Sequence, residues 1–355
     1  MDTEDYMRFA FMCKRKKPSQ KLDKKVAIVG AGPSGLAAAG YLVCKGYSIT
    51  VYERLPFPGG MMVFAIPEFR IPKKRVLLGC KELEEIFDAK IMTSCKITAN
   101  GVRILGDDNA KETVELHKVT DEFDATIIAT GTWISRNLPA EGSDFEGIYS
   151  ALEYLFRSKA AELGLMPEKE KIRLGSKVAV IGAGLVAVDA ALEAAREGHT
   201  VHLISIENQF DAPAGAYEIN RLKKMGVEHT ERAVIKRVIG KGKVESIELI
   251  NVDAEVKGGL VLKLEQIPGT ERIVNDIDNI VVGIGQIPTP PFGKGFPEIK
   301  TLKWGGIEVN DKFMSSKEKV FATGDVATGV SKVGRAFQCG LKTAYWVDRH
   351  LQDTA

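Results

Sequence analysis

The chain has 355 residues, 49 Lys and Arg against 47 Asp and Glu, a formal net charge of +2 and 45% hydrophobic residues. That length calls for two ordinary domains rather than one core, and so balanced a charge excludes the basic excess on which nucleic-acid or membrane-surface binding depends. Five scattered cysteines, Cys13, Cys44, Cys80, Cys95 and Cys339, exclude a zinc knuckle, an iron–sulfur site or a Cys-x-x-C pair, and fit the reduced thiols of a cytoplasmic protein.

In chain order, residues 1–24 read as an N-terminal tail whose block Lys14-Arg15-Lys16-Lys17 is expected to be solvated, the alternative being a basic arm for an acidic partner. Lys25 to Val29 is a buried parallel strand, Ser34 to Lys45 a helix stopped at Gly46, and Ser48 to Glu53 a second strand. Between strand and helix stands Gly30-Ala31-Gly32-Pro33-Ser34-Gly35, whose glycines permit a tight turn, close approach of a pyrophosphate and close helix packing. Unpaired N–H groups at the helix start then hold phosphate. Glu53 ends the second strand roughly 20 residues later, where an acid bonds ribose hydroxyls. The glycines and proline between Val26 and Val43 argue against a membrane span.

A Pro- and Gly-rich loop, Arg54 to Pro72, leads to a helix from Lys73 to Phe87. The short segments Lys90 to Thr93, Gly101 to Leu105 and Thr113 to Val119 suggest an antiparallel meander, and Ala125 to Gly131 is an apolar strand ending in glycine. The plan then repeats. Lys177 to Ile181 is a strand, Gly182-Ala183-Gly184-Leu185-Val186-Ala187 a second turn, Val186 to Glu197 a helix and Thr200 to Ile206 a strand. A helical stretch from Glu218 to Met225, strands around Val234 to Val238, Val244 to Asn251 and Leu260 to Gln266, and an apolar strand Asn279 to Gly285 complete the second unit. Val320 to Asp325 and a helix from about Lys332 to His350 return to the first unit. The fold class is therefore α/β, with two Rossmann-like dinucleotide-binding domains of three-layer ββα type, the second inserted within the first. We place the first domain at 25–140 and 286–355 and the second at 141–285. Two such turns in one chain imply two dinucleotides and electron transfer between them.

The first turn with Glu53, then Pro58-Gly59-Gly60-Met61-Met62, Ala65-Ile66-Pro67-Glu68-Phe69-Arg70-Ile71-Pro72-Lys73, Arg136-x-Leu138-Pro139-x-Glu141-Gly142, Ala212-Pro213-Ala214 and Phe321 to Ala344, resembles the small subunit of glutamate synthase and its relatives. The resemblance covers nearly everything after Lys25. It implies FAD in the first domain, with Gly30, Gly32, Pro33, Ser34 and Gly35 on the pyrophosphate and Glu53 on the ribose. It further assigns Arg54, Ile97, Ala129, Thr130, Gly131 and Gly324 to the FAD site, sets Gly59, Gly60, Met61, Ile66 and Arg70 beside the flavin, and gives Asp325 a hydrogen bond from the ribityl chain. Lys332 and Val333, opening the last helix, face the flavin N1 and C2 carbonyl, where a helix start stabilises negative charge. In the second domain Gly182, Gly184, Leu185, Val186, Glu207, Gly283 and Gly285 hold NAD(P)H. The chemistry implied is hydride passage from nicotinamide to flavin, then electrons onward to a partner with an iron–sulfur centre, such as ferredoxin or a larger catalytic subunit.

Three departures shape the expectations. The family's N-terminal iron–sulfur domain is missing, so the electrons are expected to leave for a separate partner. Leu185-Val186 replace a polar pair, which admits a rival reading as a non-catalytic FAD-binding scaffold with a decayed nicotinamide site. Ser205-Ile206-Glu207 stand where NADP-using relatives have an arginine pair, which favours NADH, although Arg221 or Arg232 could still swing in from the following segment. His117, His199, His202, His229 and His350 form no metal-ligand spacing.

Overall fold

A computed structural model describes residues 9–11, 17–99, 101–257, 260–293 and 296–354. Cys13 and Lys14 to Lys16 lie outside the described residues, while Lys17 pairs with Asp88 at 3.0 Å. The chain begins with β1 (Lys25–Val29), α1 (Pro33–Lys45), β2 (Ser48–Tyr52), α2 (Met61–Phe64), α3 (Lys73–Phe87) and β3 (Lys90–Met92). Then come β4 (Cys95–Thr98), β5 (Glu112–Glu115), α4 (Leu116–Glu122), β6 (Ala125–Ile128), β7 (Ile134–Ser135), β8 (Ile148–Ser150) and α5 (Ala151–Glu162). The next stretch holds β9 (Lys177–Ile181), α6 (Leu185–Arg196), β10 (Thr200–Ile204), α7 (Ala216–Lys224), β11 (Glu228–Thr230) and β12 (Ala233–Ile239). It ends with β13 (Ser246–Lys257), β14 (Leu260–Gln266), β15 (Arg272–Asn275), β16 (Asn279–Val282), β17 (Gln286–Ile287), β18 (Val320–Ala322), α8 (Asp325–Thr328) and α9 (Val333–Asp353). Among the described residues no helix is long and apolar enough to cross a membrane.

Two compact units emerge, one running to Ile134 and resuming at Gln286, the other Ser135–Gly285. In the first, five parallel strands run in the order β18-β6-β1-β2-β3. In the second, five parallel strands run β11-β10-β9-β16-β8. The two orders correspond strand for strand, except that the outermost strand beside β6 comes from the end of the chain and the one beside β16 precedes the unit's first turn. Each sheet is buried on both faces, so β1, β6, β9 and β16 read as unbroken apolar runs. One core gathers Ala27, Val29, Ile97, Leu116, Val119 and Ile128, and the other Ala179, Ile181, Ile204, Ile235, Ile247 and Ile280.

The first unit corrects one expectation. Among the described residues no antiparallel meander forms there: β3 joins the parallel sheet, β4 and β5 pair in parallel, Gly101 to Leu105 forms no strand, and Leu116 to Glu122 is helical. Leu116 and Val119 enter the same core at helical spacing, and this burial overrides the strand preference of their β-branched neighbours. The second unit does carry antiparallel ladders, β12 with β13 and β13 with β14 and β15. Part of the expected tail is also docked, since Phe11 is fully buried and its ring lies 6.2 Å from that of Phe337.

Candidate nucleotide sites

Each unit carries the glycine turn at the C-terminal end of its central strand. Gly30 and Gly182 have φ of 107° and 108°, and a Cβ there would lie 2.5 Å from the Ala129 carbonyl oxygen or 2.6 Å from that of Gly283. Only glycine meets both conditions. Gly32 and Gly184 precede α1 and α6 in extended conformation without a side-chain cap, and a Cβ at either would meet nothing within 4 Å. Both helix starts thus present free N–H groups to open space. Pro33 stands in the first turn of α1, where its missing N–H costs nothing.

At the third position the units solve one packing problem in opposite ways. In the first, Gly35 lies against Ala129; in the second, Ala187 lies against Gly283, where a Cβ would approach the Ala187 Cβ to 2.6 Å. Either way a single methyl group fits between helix and strand. A second parallel concerns the loop after the next strand: Gly59 N–H donates to Ala31 O at 2.8 Å, and Ala214 N–H to Ala183 O at 3.0 Å. Pro58-Gly59-Gly60 and Pro213-Ala214-Gly215 are therefore the same brace on the two turns.

In the first unit Glu53 is 5% exposed and accepts from Ala31 N–H at 2.8 Å and Leu55 N–H at 2.9 Å. Burial pushes its carboxyl above the ordinary value, against the pull of Arg54 and those donors. Arg54 donates to Leu105 O at 2.7 Å, pairs with Asp107 at 3.3 Å and lies 4.5 Å from the Trp133 ring, leaving a buried Nη2 without a partner. The Thr130 Oγ1 at the end of β6 is likewise buried and unpartnered. Gly60 touches the turn, its Cβ position 2.9 Å from the Gly32 Cα, and Gly324 packs on Ser34. Met61 opens α2, Ile66 closes onto it through N–H to Met61 O at 2.8 Å, and the Arg70 guanidinium lies 5.7 Å from the Phe69 ring. Ile97 sends its side chain into the core and has only backbone to offer. Asp325 accepts from Ser331 Oγ at 2.6 Å, with its carboxyl pushed up by burial. The Lys332 side chain does not cap α9, and its carbonyl accepts the N–H of Arg335 at 2.9 Å and of Ala336 at 3.0 Å, so the open N–H groups at the helix start are those of Val333 and Gly334. Gly131 O accepts from Thr289 N–H at 2.9 Å.

In the second unit Glu207 follows β10 and is 8% exposed, its carboxyl raised by burial against the charge of Arg232. The Ser205 hydroxyl donates to Glu207 O at 2.8 Å and meets His229 Nε2 at 2.9 Å. Arg232 is bound by Asp211 at 3.2 Å and donates to Ala254 O, while Arg221 lies 3.9 Å from Glu218. Leu185 and Val186 form the first turn of α6, and Gly285 O accepts Arg136 N–H at 3.0 Å.

Sequence reasoning missed the Arg54–Trp133 stack, the Ser205–His229 support, and two residues of α9. There Gly340 leaves room for the Ser34 carbonyl, and the Cys339 sulfur accepts Gly324 N–H at 3.3 Å. The small residues of α9 were the available signal. The residues of the first unit fit a flavin dinucleotide, because a cradle open at Gly32 faces an uncapped helix beside orphaned buried donors at Arg54 and Thr130.

The chain is 32% identical over 335 residues to the NADP(+)-dependent formate dehydrogenase subunit beta of Moorella thermoacetica, covering 93% of this chain and 44% of that one. It is 28% identical over 349 residues to the glutamate synthase (NADPH) small chain of Azospirillum brasilense, covering 96% and 70%. The chain thus spans less than half of the first relative and about two thirds of the second. Among solved structures, Mycobacterium tuberculosis FprA in complex with NADPH has a TM-score of 0.70 at 17% identity, covering 93% of this chain and 85% of that one. Thioredoxin reductase of T. acidophilum has a TM-score of 0.64 at 21% identity, covering 93% and 100%, and these two show the shared fold. The family described as pyridine nucleotide-disulphide oxidoreductase matches residues 24–340, and the chain belongs to that family, as an oxidoreductase similar to the small chains of glutamate synthase.

Proposed function

We propose that the first unit holds FAD, that the second binds NADH in preference to NADPH, and that the electrons pass to a separate partner protein with an iron–sulfur centre. The observation that carries this is the duplicated cradle, Gly30 to Gly35 and Gly182 to Ala187, each braced by the following loop. Gly32, Ser34 and the α1 N–H groups would hold the flavin's pyrophosphate, Glu53 its ribose, and Asp325 the ribityl chain. Bound FAD supplies acceptance of a hydride as an electron pair and release of electrons singly. The chain's own part is placement and charge: the open first turn of α9 stabilises negative charge on the reduced ring, and the loops at Gly59 and Ala214 fix both turns. The relatives' names speak of NADPH. Here Glu207 stands at the strand end and Arg232 is already engaged by Asp211 and Ala254, an arrangement that disfavours a 2′-phosphate. Relatives named as subunits support a protein partner, and the thiols of Cys80, Cys95 and Cys339, none in a disulfide, fit a cytoplasmic setting.

Anaerobic mixing with each nucleotide tests this through bleaching of the flavin band at about 450 nm. NADH is expected to give the larger catalytic efficiency, and Glu207→Arg to move the NADPH/NADH ratio toward NADPH by about tenfold or more. Wild-type preference for NADPH overturns the cofactor choice. Bleaching by neither nucleotide favours the scaffold reading that Leu185 and Val186 suggest.

A further inference from the structure

The chain leaving Glu207 is held by a set of side-chain hydrogen bonds. Asn208 Oδ1 accepts the N–H of Phe210 at 2.8 Å and of Asp211 at 3.0 Å, and its Nδ2 donates to Asp211 at 2.7 Å. Asp211 is tied to Arg232 at 3.2 Å, and Arg232 in turn reaches the Ala254 carbonyl. The backbone around Phe210 is therefore braced on both sides. Its ring is nevertheless 77% exposed. A ring that only filled space would be buried; an exposed aromatic ring on a braced backbone, three residues beyond Glu207, is what a purine base stacks on.

We propose that Phe210 is the stacking residue for the adenine of the nucleotide bound by the second unit, so that Glu207 takes the ribose and Phe210 the base. This rests on the reading that the second unit binds a nicotinamide dinucleotide. It goes beyond that reading in assigning affinity for the adenosine half to one side chain outside the glycine turn. The consequence is a division of labour: the glycine turn supplies phosphate binding common to many nucleotides, whereas Phe210 distinguishes a dinucleotide from a mononucleotide.

The test is calorimetric titration of the full-length, flavin-loaded protein with ADP-ribose and NAD+, joined to stopped-flow reduction by NADH and by reduced nicotinamide mononucleotide, which lacks the adenosine. Phe210→Ala is expected to weaken ADP-ribose and NAD+ binding by about tenfold. It is expected to shrink the KM advantage of NADH over the mononucleotide by the same factor, and Phe210→Trp to restore both. Wild-type protein that binds neither ADP-ribose nor NAD+ and is reduced by neither donor overturns the nucleotide reading itself. Wild-type protein that binds and reacts, with Phe210→Ala unchanged in ADP-ribose affinity and in the KM ratio, overturns the stacking role alone.

Discussion

Glu53 joins two duties in one carboxylate. One oxygen accepts the backbone N–H of Ala31 inside the glycine turn and the other that of Leu55 beyond the strand, and in the proposed FAD site the remaining lone pairs take the ribose hydroxyls. Protonation turns one acceptor into a donor that faces another donor. Because burial raises this carboxyl, that happens at a higher pH than for a solvated glutamate of ordinary value 4.5. In sign, flavin retention is complete above the folded value and falls as pH drops through it. Ultrafiltration of the holoprotein across a pH series is expected to show FAD release beginning above the ordinary carboxylate range. Glu53→Gln, whose amide carries the donor permanently, is expected to bind FAD about tenfold more weakly at neutral pH and to lose the pH dependence. A release curve shared by both proteins would remove Glu53 from the turn's support.

At the level of elements, α1 is fixed on α9 by a contact that the glycine motif does not announce. Gly46 ends α1, and the Tyr47 hydroxyl donates to Asp348 Oδ1 at 2.8 Å, which Gln352 Nε2 reaches at 2.9 Å while Lys45 lies 3.2 Å from Oδ2. Asp348 is buried, so removing it leaves a buried hydroxyl without its acceptor. Asp348→Ala is expected to lower stability by about 2 kcal/mol and Tyr47→Phe by about 1 kcal/mol. The double variant should cost no more than Asp348→Ala alone, because the two share one interaction; additive losses in urea titrations would contradict this. The strand-turn-helix units were legible in sequence because apolar runs, Pro33, Gly46 and the glycine turns act through local backbone rules. Helix α5 also left a signal, Ser150 accepting Glu153 N–H at 3.0 Å as an N-cap, though the pattern of the intervening segment hid it. What could not be read were pairings fixed by distant chain: β4 beside β5, Arg54 against Trp133, and Gly340 beneath Ser34. The strand-end carboxylates and the glycines were visible because their chemistry is local, whereas the display of Phe210 depends on Arg232, fixed by the ladder that supplies Ala254.

Across the whole molecule, one architecture is used twice but titrates differently in its two copies. The second unit buries His202, against Thr230 and near Glu228, Lys177 and Arg272, and His229, against Ser205 and near Glu231 and Lys223. Burial holds both imidazoles below their ordinary value of 6.5, against the pull of Glu228 and Glu231. The unfolded chain therefore takes up those protons first, so the stability tied to neutral His202 and His229 is present above about 6.5 and lost as pH falls through the folded values. Carboxyls raised by burial act in the opposite sense, since their contribution is fullest at low pH and lost as pH rises through the folded values. The first unit has Glu53, Glu84 and Asp325 of this kind, and the second has Glu207. Asp88 and Asp124 are held low by lysines and titrate beneath this window. Acidification from pH 7 toward 5 thus removes support from the second unit at two sites and relieves it at one, while it relieves the first unit at three. Peptide-resolved hydrogen exchange on nucleotide-free protein is expected to show β9 and β10 losing protection by about tenfold before β1 and β2 change. Replacing His229 by Asn, which keeps a donor for Ser205 but does not titrate, should narrow that difference. Simultaneous loss in both units, or earlier loss in β1 and β2, would show that the buried imidazoles do not set the acid limit.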